Sequence, residues 1–179
     1  MAGAASTNYP KGPYGSEVGD TIEDFVFQGY VAPHQNGDMS EIAFSDFYDP
    51  SGEQGHRLLL LNTAAAWCQP CAIEHSDLPS RVEEHAGKGL VVLSALFQDE
   101  AGDPAGQDTL DTWVRNFDTN FPMVLDPGYQ MGRYGPANSP PVNLIVDPVS
   151  MQLVARFIGN QEGPMWAFIE NELNSRGAQ

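Results

Sequence analysis

The sequence predicts an α/β fold, a central mixed β-sheet with helices on both faces and an N-terminal β-hairpin extension. Three observations lead there. Leu58-Leu59-Leu60-Leu61 is apolar at both parities, as expected of a strand covered on both faces. Leu90 to Phe97 is a second buried run, and the helical spacing between the two makes a strand–helix–strand unit with a right-handed crossover. After another helical stretch, a strand pair and a last helix complete the alternating order of an α/β domain.

Along the chain, Phe25-Val26-Phe27 follows a turn and reads as a short strand. Residues 30–56 mix turn formers (Pro33, Asn36, Gly37, Asp38, Pro50, Gly52, Gly55) with apolar Ile42, Ala43, Phe44 and Phe47, a hairpin and loop. The helix from Cys71 to about His85 places Ile73, Leu78 and Val82 on one face, and Pro79 inside it predicts a kink. Gly87-Lys88-Gly89 ends that helix, and an acidic loop over 98–108 follows the second strand. Leu110, Trp113, Val114 and Phe117 recur at helical spacing, 121–125 reads as a short extended piece, and 129–134 as a helical turn. Pro140-Pro141 precedes a strand over 142–146, whose hairpin partner is 152–158 across the turn at 147–150. Met165, Phe168, Ile169 and Leu173 form the stripe of a C-terminal helix.

A chain of 179 residues buries one sizeable core. Residues 1–16 read as a flexible leader and 17–179 as a single domain, with an N-terminal extension over 17–57 and the core over 58–179. Met1 to Thr7 lacks the basic-then-apolar layout of a secretory signal. Either the protein is cytoplasmic, or an export signal has been removed from it. No run approaches the roughly 18 apolar residues of a membrane span, so no membrane insertion is expected. Acids outnumber bases 24 to 8, a net charge of −16. Such a surface repels phosphate backbones and anionic lipid, which excludes nucleic acid as a partner; solubility or adaptation to high salt accounts for the acidity itself.

The chemistry concentrates at Trp67-Cys68-Gln69-Pro70-Cys71. These are the two cysteines of the chain, three apart at a strand-to-helix junction, the redox reading of cysteine spacing. At the helix N-terminus, unpaired N–H groups and the positive end of the dipole stabilise a thiolate on Cys68. Cys71, one turn inward, reaches a mixed disulfide on Cys68. Pro70 fits the first turn, where its missing N–H costs nothing. A structural disulfide closing so small a ring gains little entropy. A zinc site built on Cys68, Cys71 and His75 lacks a fourth ligand. Covalent haem attachment needs His after the second cysteine, where Ala72 stands. His75 itself reads as a surface histidine, and His34, His56 and His85 add nothing further.

The segment Asn62 to Glu74 resembles the active-site segment of the TlpA/ResA-like branch of the thioredoxin superfamily. The resemblance extends to Val18-Gly19-Asp20-Thr21-Ile22-Glu23-Asp24-Phe25, to Phe121-Pro122-Met123-Val124-Leu125-Asp126-Pro127, and to Pro141-Val142-Asn143-Leu144-Ile145-Val146-Asp147-Pro148, which are similar to three further segments of redoxin domains. It implies a thioredoxin-like fold, with Cys68 as nucleophile, Cys71 as resolving thiol and Glu74 as an acid beside the pair that raises thiol pKa values and relays a proton. Glu74 as an ordinary solvated acid is the competing reading. The resemblance also implies that Trp67 packs beside the reactive sulfur and that Pro141 is the cis-proline facing the pair. The sequence departs from the pattern at Pro140, which offers substrate a carbonyl but no N–H. A slip of register would instead make Pro140 the cis residue. Thr63 and Ala64 replace two aromatic positions.

The resemblance points to a thiol–disulfide oxidoreductase acting on protein thiols and disulfides, recycled by an upstream redox partner. No cofactor beyond the Cys68–Cys71 disulfide and no metal is expected, and the chain is taken as a monomer. It implies a reductant in an extracytoplasmic compartment, the export signal being absent from this chain, with the cytoplasm as the alternative. A peroxiredoxin-like peroxidase is the second reading. Against it, Thr63 lies five residues before Cys68, and Trp67 directly precedes the cysteine. A non-enzymatic thioredoxin-like binding module is the third.

Overall fold

Parity of the side chains explains the centre of the sheet. In the computed structural model, which describes residues 8–32 and 37–177, every residue of β3 (Leu58–Ala65) is buried. Leu58, Leu60 and Ala64 belong to one apolar cluster, Leu59 and Leu61 to another, so the strand needs cover on both faces. β4 (Leu90–Gln98) runs parallel to it, with Leu58 opposite Leu90 and Asn62 opposite Ser94. β6 (Val142–Asp147) runs antiparallel on the other side, with Asn62 opposite Asn143. β7 (Gln152–Ile158) continues past β6. Beyond β4 lie β5 (Met123–Leu125), then the hairpin of β1 (Val26–Tyr30) and β2 (Ser40–Ala43). The full order is β2-β1-β5-β4-β3-β6-β7.

One face of this sheet carries three α-helices: α1 (Gln69–Ala86), α2 (Gln107–Phe117) and α3 (Glu162–Gly177). Leu78, Leu110, Trp113, Met165, Ile169 and Leu173 supply their contact with it. The opposite face is closed by two 3-10 helices, Phe44–Phe47 and Gln130–Arg133, and by Ile22 and Phe27. The N-terminal segment is tied to that second face. Tyr9 donates its hydroxyl to the Ile22 carbonyl at 2.9 Å, Tyr14 bridges Thr21, and Arg133 donates to the Tyr14 carbonyl at 2.7 Å. Residues 1–7 of the expected leader, and His34, lie outside the described residues.

α1 differs from the sequence reading in which side chains it buries. Ile73, expected on the apolar face, is 56% exposed, whereas His75, expected on the surface, is fully buried. The buried stripe runs instead through Cys71, Glu74, His75, Leu78 and His85. Polar side chains occupy it because the strands beneath present polar partners at the matching height. The helix contains Pro79, as the sequence places it, and the Pro79 carbonyl accepts an N–H from Asn120 at 3.1 Å. The loss of one backbone hydrogen bond is outweighed by the packing of the turns around it.

The hairpin reaches the sheet through a close approach at Gly29, opposite Val124 on β5. A Cβ there would lie 2.3 Å from the Met123 carbonyl oxygen and 2.6 Å from the Val124 Cα, both backbone atoms that cannot move aside. Gly29→Ala is therefore expected to destabilise the domain by about 1–3 kcal/mol. In thermal unfolding this lowers Tm by several degrees. Gly128→Ala, where an added Cβ meets nothing within 4 Å, serves as the control and leaves Tm nearly unchanged.

Candidate redox-active site

β3 ends where α1 begins, and the two cysteines occupy that junction. Cys68 is the N-cap of α1, with extended backbone (φ −86°, ψ 106°), and Pro70 lies in the first turn. The pair forms a disulfide, with Cα atoms 5.2 Å apart. The Cys71 backbone N–H points at Cys68 Sγ, 3.1 Å away, so the helix N-terminus is aimed at the outer sulfur. Facing that sulfur is Pro140, whose carbonyl oxygen is 3.5 Å from Cys68 Sγ. The Pro140–Pro141 bond is cis, which makes Pro141 the cis residue and rules out the slipped register. The Pro141 carbonyl is taken by the Gly159 N–H at 2.8 Å, and the Val142 N–H by Thr63 Oγ1 at 3.1 Å. The Pro140 carbonyl is thus the backbone group turned toward the disulfide.

Both cysteines are buried, whereas Trp67 beside them is 42% exposed. Its indole N–H donates to Gln98 Oε1 at 2.9 Å, and Gln98 in turn donates to the Gly102 carbonyl at 2.7 Å. Trp67 is therefore a fixed plate at the surface rather than part of the core. With exposed Ile73 it gives the rim of the disulfide an apolar character.

Beneath the pair lies a polar row inside the apolar core. Ser94, Asn62 and Asn143 stand side by side on β4, β3 and β6, and α1 lowers Glu74 and His75 onto them. Asn62 Nδ2 donates to Glu74 Oε1 at 2.6 Å and to Asn143 Oδ1 at 2.9 Å, and Asn143 Nδ2 donates to Glu74 Oε2 at 3.1 Å. Ser94 Oγ donates to Asn62 Oδ1 at 2.6 Å and also contacts His75 Nε2 at 2.9 Å. His75 Nδ1 lies 3.0 Å from the Cys71 carbonyl oxygen. All five side chains are at most 2% exposed.

Burial sets the proton affinities here. It pushes the Glu74 carboxyl up to about 8, with the hydrogen bond from Asn143 opposing and the like charge of Glu162 adding to the rise. It pushes His75 down to about 4, against the hydrogen bond to the Cys71 backbone. At neutral pH both groups are uncharged. Glu74 is not the solvated helix acid of the competing sequence reading.

Sequence reasoning reached Cys68, Cys71, Glu74, Trp67, Pro140 and Pro141, and the structure brings the two cysteines and Pro140 into contact. Glu74 shares the buried face of α1 with Cys71, one turn further in. His75, Ser94 and Asn143 were missed. A signal existed: Ser94 and Asn143 are single polar residues at core parity within otherwise apolar strands. A second cluster lies farther along α1, where Glu84 and His85 meet Glu170 of α3. Its two carboxylates are already held by the Arg81 guanidinium, at 3.6 and 3.7 Å.

Residues 18–156 match the AhpC/TSA family. The chain belongs to the AhpC/TSA family. No curated protein matches the sequence. Among solved structures, this AhpC/TSA chain resembles a Chlorobium tepidum protein assigned as a thiol:disulfide interchange protein DsbE, with a TM-score of 0.67 at 16% identity, covering 90% of this chain and 98% of the other. It also resembles a thiol:disulfide interchange protein from Bacteroides sp. (TM-score 0.61, 14% identity, 88% and 91% covered). A third likeness is the peroxidoxin BcpB of Mycobacterium tuberculosis (TM-score 0.62, 14% identity, 90% and 97% covered). At such identities the likeness establishes the thioredoxin-like fold. Family and CxxC disulfide together make the chain an oxidoreductase of the thiol–disulfide class.

The buried pair has a consequence for stability. Between the ordinary glutamate value of 4.5 and about 8, the native state holds a Glu74 proton that the unfolded chain has lost, so stability falls as pH rises. Between about 4 and 6.5 the unfolded chain takes up a His75 proton that the native state refuses, so stability rises with pH there. The two oppose each other from 4.5 to 6.5, and Glu74 acts alone above that. Urea unfolding from pH 6.5 to 8 is expected to show wild type losing on the order of 2 kcal/mol relative to Glu74→Gln, which mimics the protonated acid. Parallel curves for the two proteins would contradict this assignment of charge.

Proposed function

We propose that this AhpC/TSA-family chain reduces disulfides in other proteins, with Cys68 as nucleophile, Cys71 as resolving thiol and Glu74, in its ionised form, as the proton acceptor for Cys71. The observation that carries the reading is the Cys68–Cys71 disulfide at the head of α1, set against the Pro140 carbonyl and rimmed by Trp67 and Ile73. In the reduced protein the Cys71 N–H and the helix N-terminus favour a Cys68 thiolate. That thiolate attacks a substrate disulfide, forming a mixed disulfide and expelling one substrate sulfur as thiolate. Cys71, giving its proton to an ionised Glu74, then attacks Cys68 Sγ and releases the second substrate sulfur. The substrate gains two electrons and the Cys68–Cys71 bond re-forms. A separate dithiol partner returns the pair to its reduced state.

Substrate handling follows from the backbone around the pair. An extended segment docked over the disulfide gives one N–H to the Pro140 carbonyl and receives none back, because Pro140 has no donor. Trp67 and Ile73 supply apolar contact instead. Gln69 and Pro70 bring no charge to the thiolate, which favours a reducing couple. The similarity to DsbE-type interchange proteins supports a place outside the cytoplasm. The peroxidase alternative draws on the family match, but Thr63 Oγ1 is occupied by the Val142 N–H rather than turned to Cys68.

Cys71→Ser is expected to accumulate mixed disulfides with protein substrates on Cys68, detectable on non-reducing gels and lost in Cys68→Ser. Insulin reduction driven by dithiothreitol is expected to vanish in either cysteine variant, and in Glu74→Gln to slow by about 10²-fold. Turnover of hydroperoxide faster than that of insulin would replace this reading with the peroxidase.

A further inference from the structure

The six contacts of the buried row cannot all be satisfied at once by neutral groups. Proton counting shows why. With Glu74 ionised, the N–H groups of Asn62 and Asn143 fill the triangle with the carboxylate, and the Asn62 carbonyl accepts the Ser94 hydroxyl proton. Ser94 Oγ then accepts from His75 Nε2–H, because a serine has one proton to give. A neutral imidazole so engaged has a bare Nδ1 against the Cys71 carbonyl oxygen, 3.0 Å away. With Glu74 protonated, its O–H donates to Asn62, whose amide turned by 180° sends an N–H to Ser94. The Ser94 hydroxyl then turns to Nε2, and Nδ1–H donates to the Cys71 carbonyl. In that arrangement one contact of Asn143 lapses instead. Each form forfeits one of the six contacts, and the protonated form also leaves one Asn62 N–H without an acceptor in the row.

We propose that His75 is a positioning residue of the redox site, its tautomer tied through Ser94 and Asn62 to the protonation of Glu74, so that proton loss at the carboxyl reverses the chain and withdraws the N–H held on the Cys71 carbonyl. The imidazole keeps a single proton throughout; the one that Glu74 releases goes to solvent. Among the described residues no other side chain is hydrogen-bonded to the His75 nitrogens. α2 presents Trp113 and Phe117, the segment before β5 presents Phe121, and the ring packs edge-on to Trp113 at 5.1 Å. The charged group acting on Glu74 from α3 is Glu162, and on α1 the nearest sulfurs are paired in the disulfide. Burial of the whole row disfavours the alternative in which the proton crosses to His75 and leaves two charges. For the reaction, which rests on the redox reading above, an ionised Glu74 then acts on Cys71 twice, by its own charge and by baring the carbonyl dipole. Both disfavour a thiolate at that position.

The test is nitrogen-15 NMR of the histidine rings in the oxidised protein between pH 6 and 9.5, with the Glu74 carboxyl followed by its carbon-13 shift. Expected is a change of His75 from Nδ1–H to Nε2–H with the same midpoint as Glu74. In Glu74→Gln the ring is expected to stay Nδ1–H throughout. In Ser94→Ala the carboxyl titrates and the tautomer does not follow, while Ser94→Thr, which keeps the hydroxyl, restores the coupling. A fixed His75 tautomer in wild type while Glu74 titrates overturns the proposal. So does an imidazolium signal in that range, or a tautomer change that survives in Ser94→Ala. Insulin reduction measured on the same samples separates the outcomes: a normal reductase with a fixed tautomer refutes the coupling alone, and a coupled tautomer in a protein without disulfide exchange refutes the function alone.

Discussion

The contact of Glu74 with Asn62 and Asn143 is the constraint on which the rest of the site depends. A carboxyl cannot enter an apolar core without partners, since each unsatisfied polar group costs about 1–3 kcal/mol. Those partners come from two adjacent strands at a single register, Asn62 opposite Asn143, so α1 can lie on the sheet in only one rotation and at one height. That placement turns Ile73 outward and brings Cys68 under the Pro140 carbonyl. The polar triangle therefore acts as a locating pin for the redox pair.

The surrounding fold is arranged to leave that pin dry. β3 is covered on both faces, by the α-helices on one and by the N-terminal segment and 3-10 helices on the other. The aromatic side chains of α2 close over His75. Exclusion of water pushes the Glu74 carboxyl up to about 8. The same exclusion leaves His75 neutral, so it acts through hydrogen bonds rather than charge. The disulfide itself borders on solvent only through its rim. There Trp67, braced by Gln98, and Ile73 provide an apolar margin on a chain whose net charge is −16.

Two departures from the family pattern define the individual character of this chain. Pro140 removes a backbone donor next to the cis-proline, so that only its carbonyl faces the disulfide. Thr63, at one of the positions where relatives carry aromatic residues, uses its hydroxyl to accept the Val142 N–H and so fastens β3 to the start of β6. The first removes a donor; the second replaces bulk by a hydrogen bond.

The order of strands and helices was legible from the sequence because apolar parity and helical spacing are local properties of the chain. The hairpin partner of β6, at 152–158, was read to the residue, and the place of the cysteines at a strand-to-helix junction followed from Leu58-Leu59-Leu60-Leu61 on one side and the first helical turn on the other. CxxC at such a junction names a chemistry before any coordinates exist. What only the tertiary structure decided was which polar residues share the interior. Ser94 and Asn143 stand out only as single polar residues in apolar strands, and His75 reads as exposed. They become one row because parallel and antiparallel pairing set β4 and β6 at the same height as Asn62. That coincidence joins residues up to 81 positions apart, and no local pattern records it.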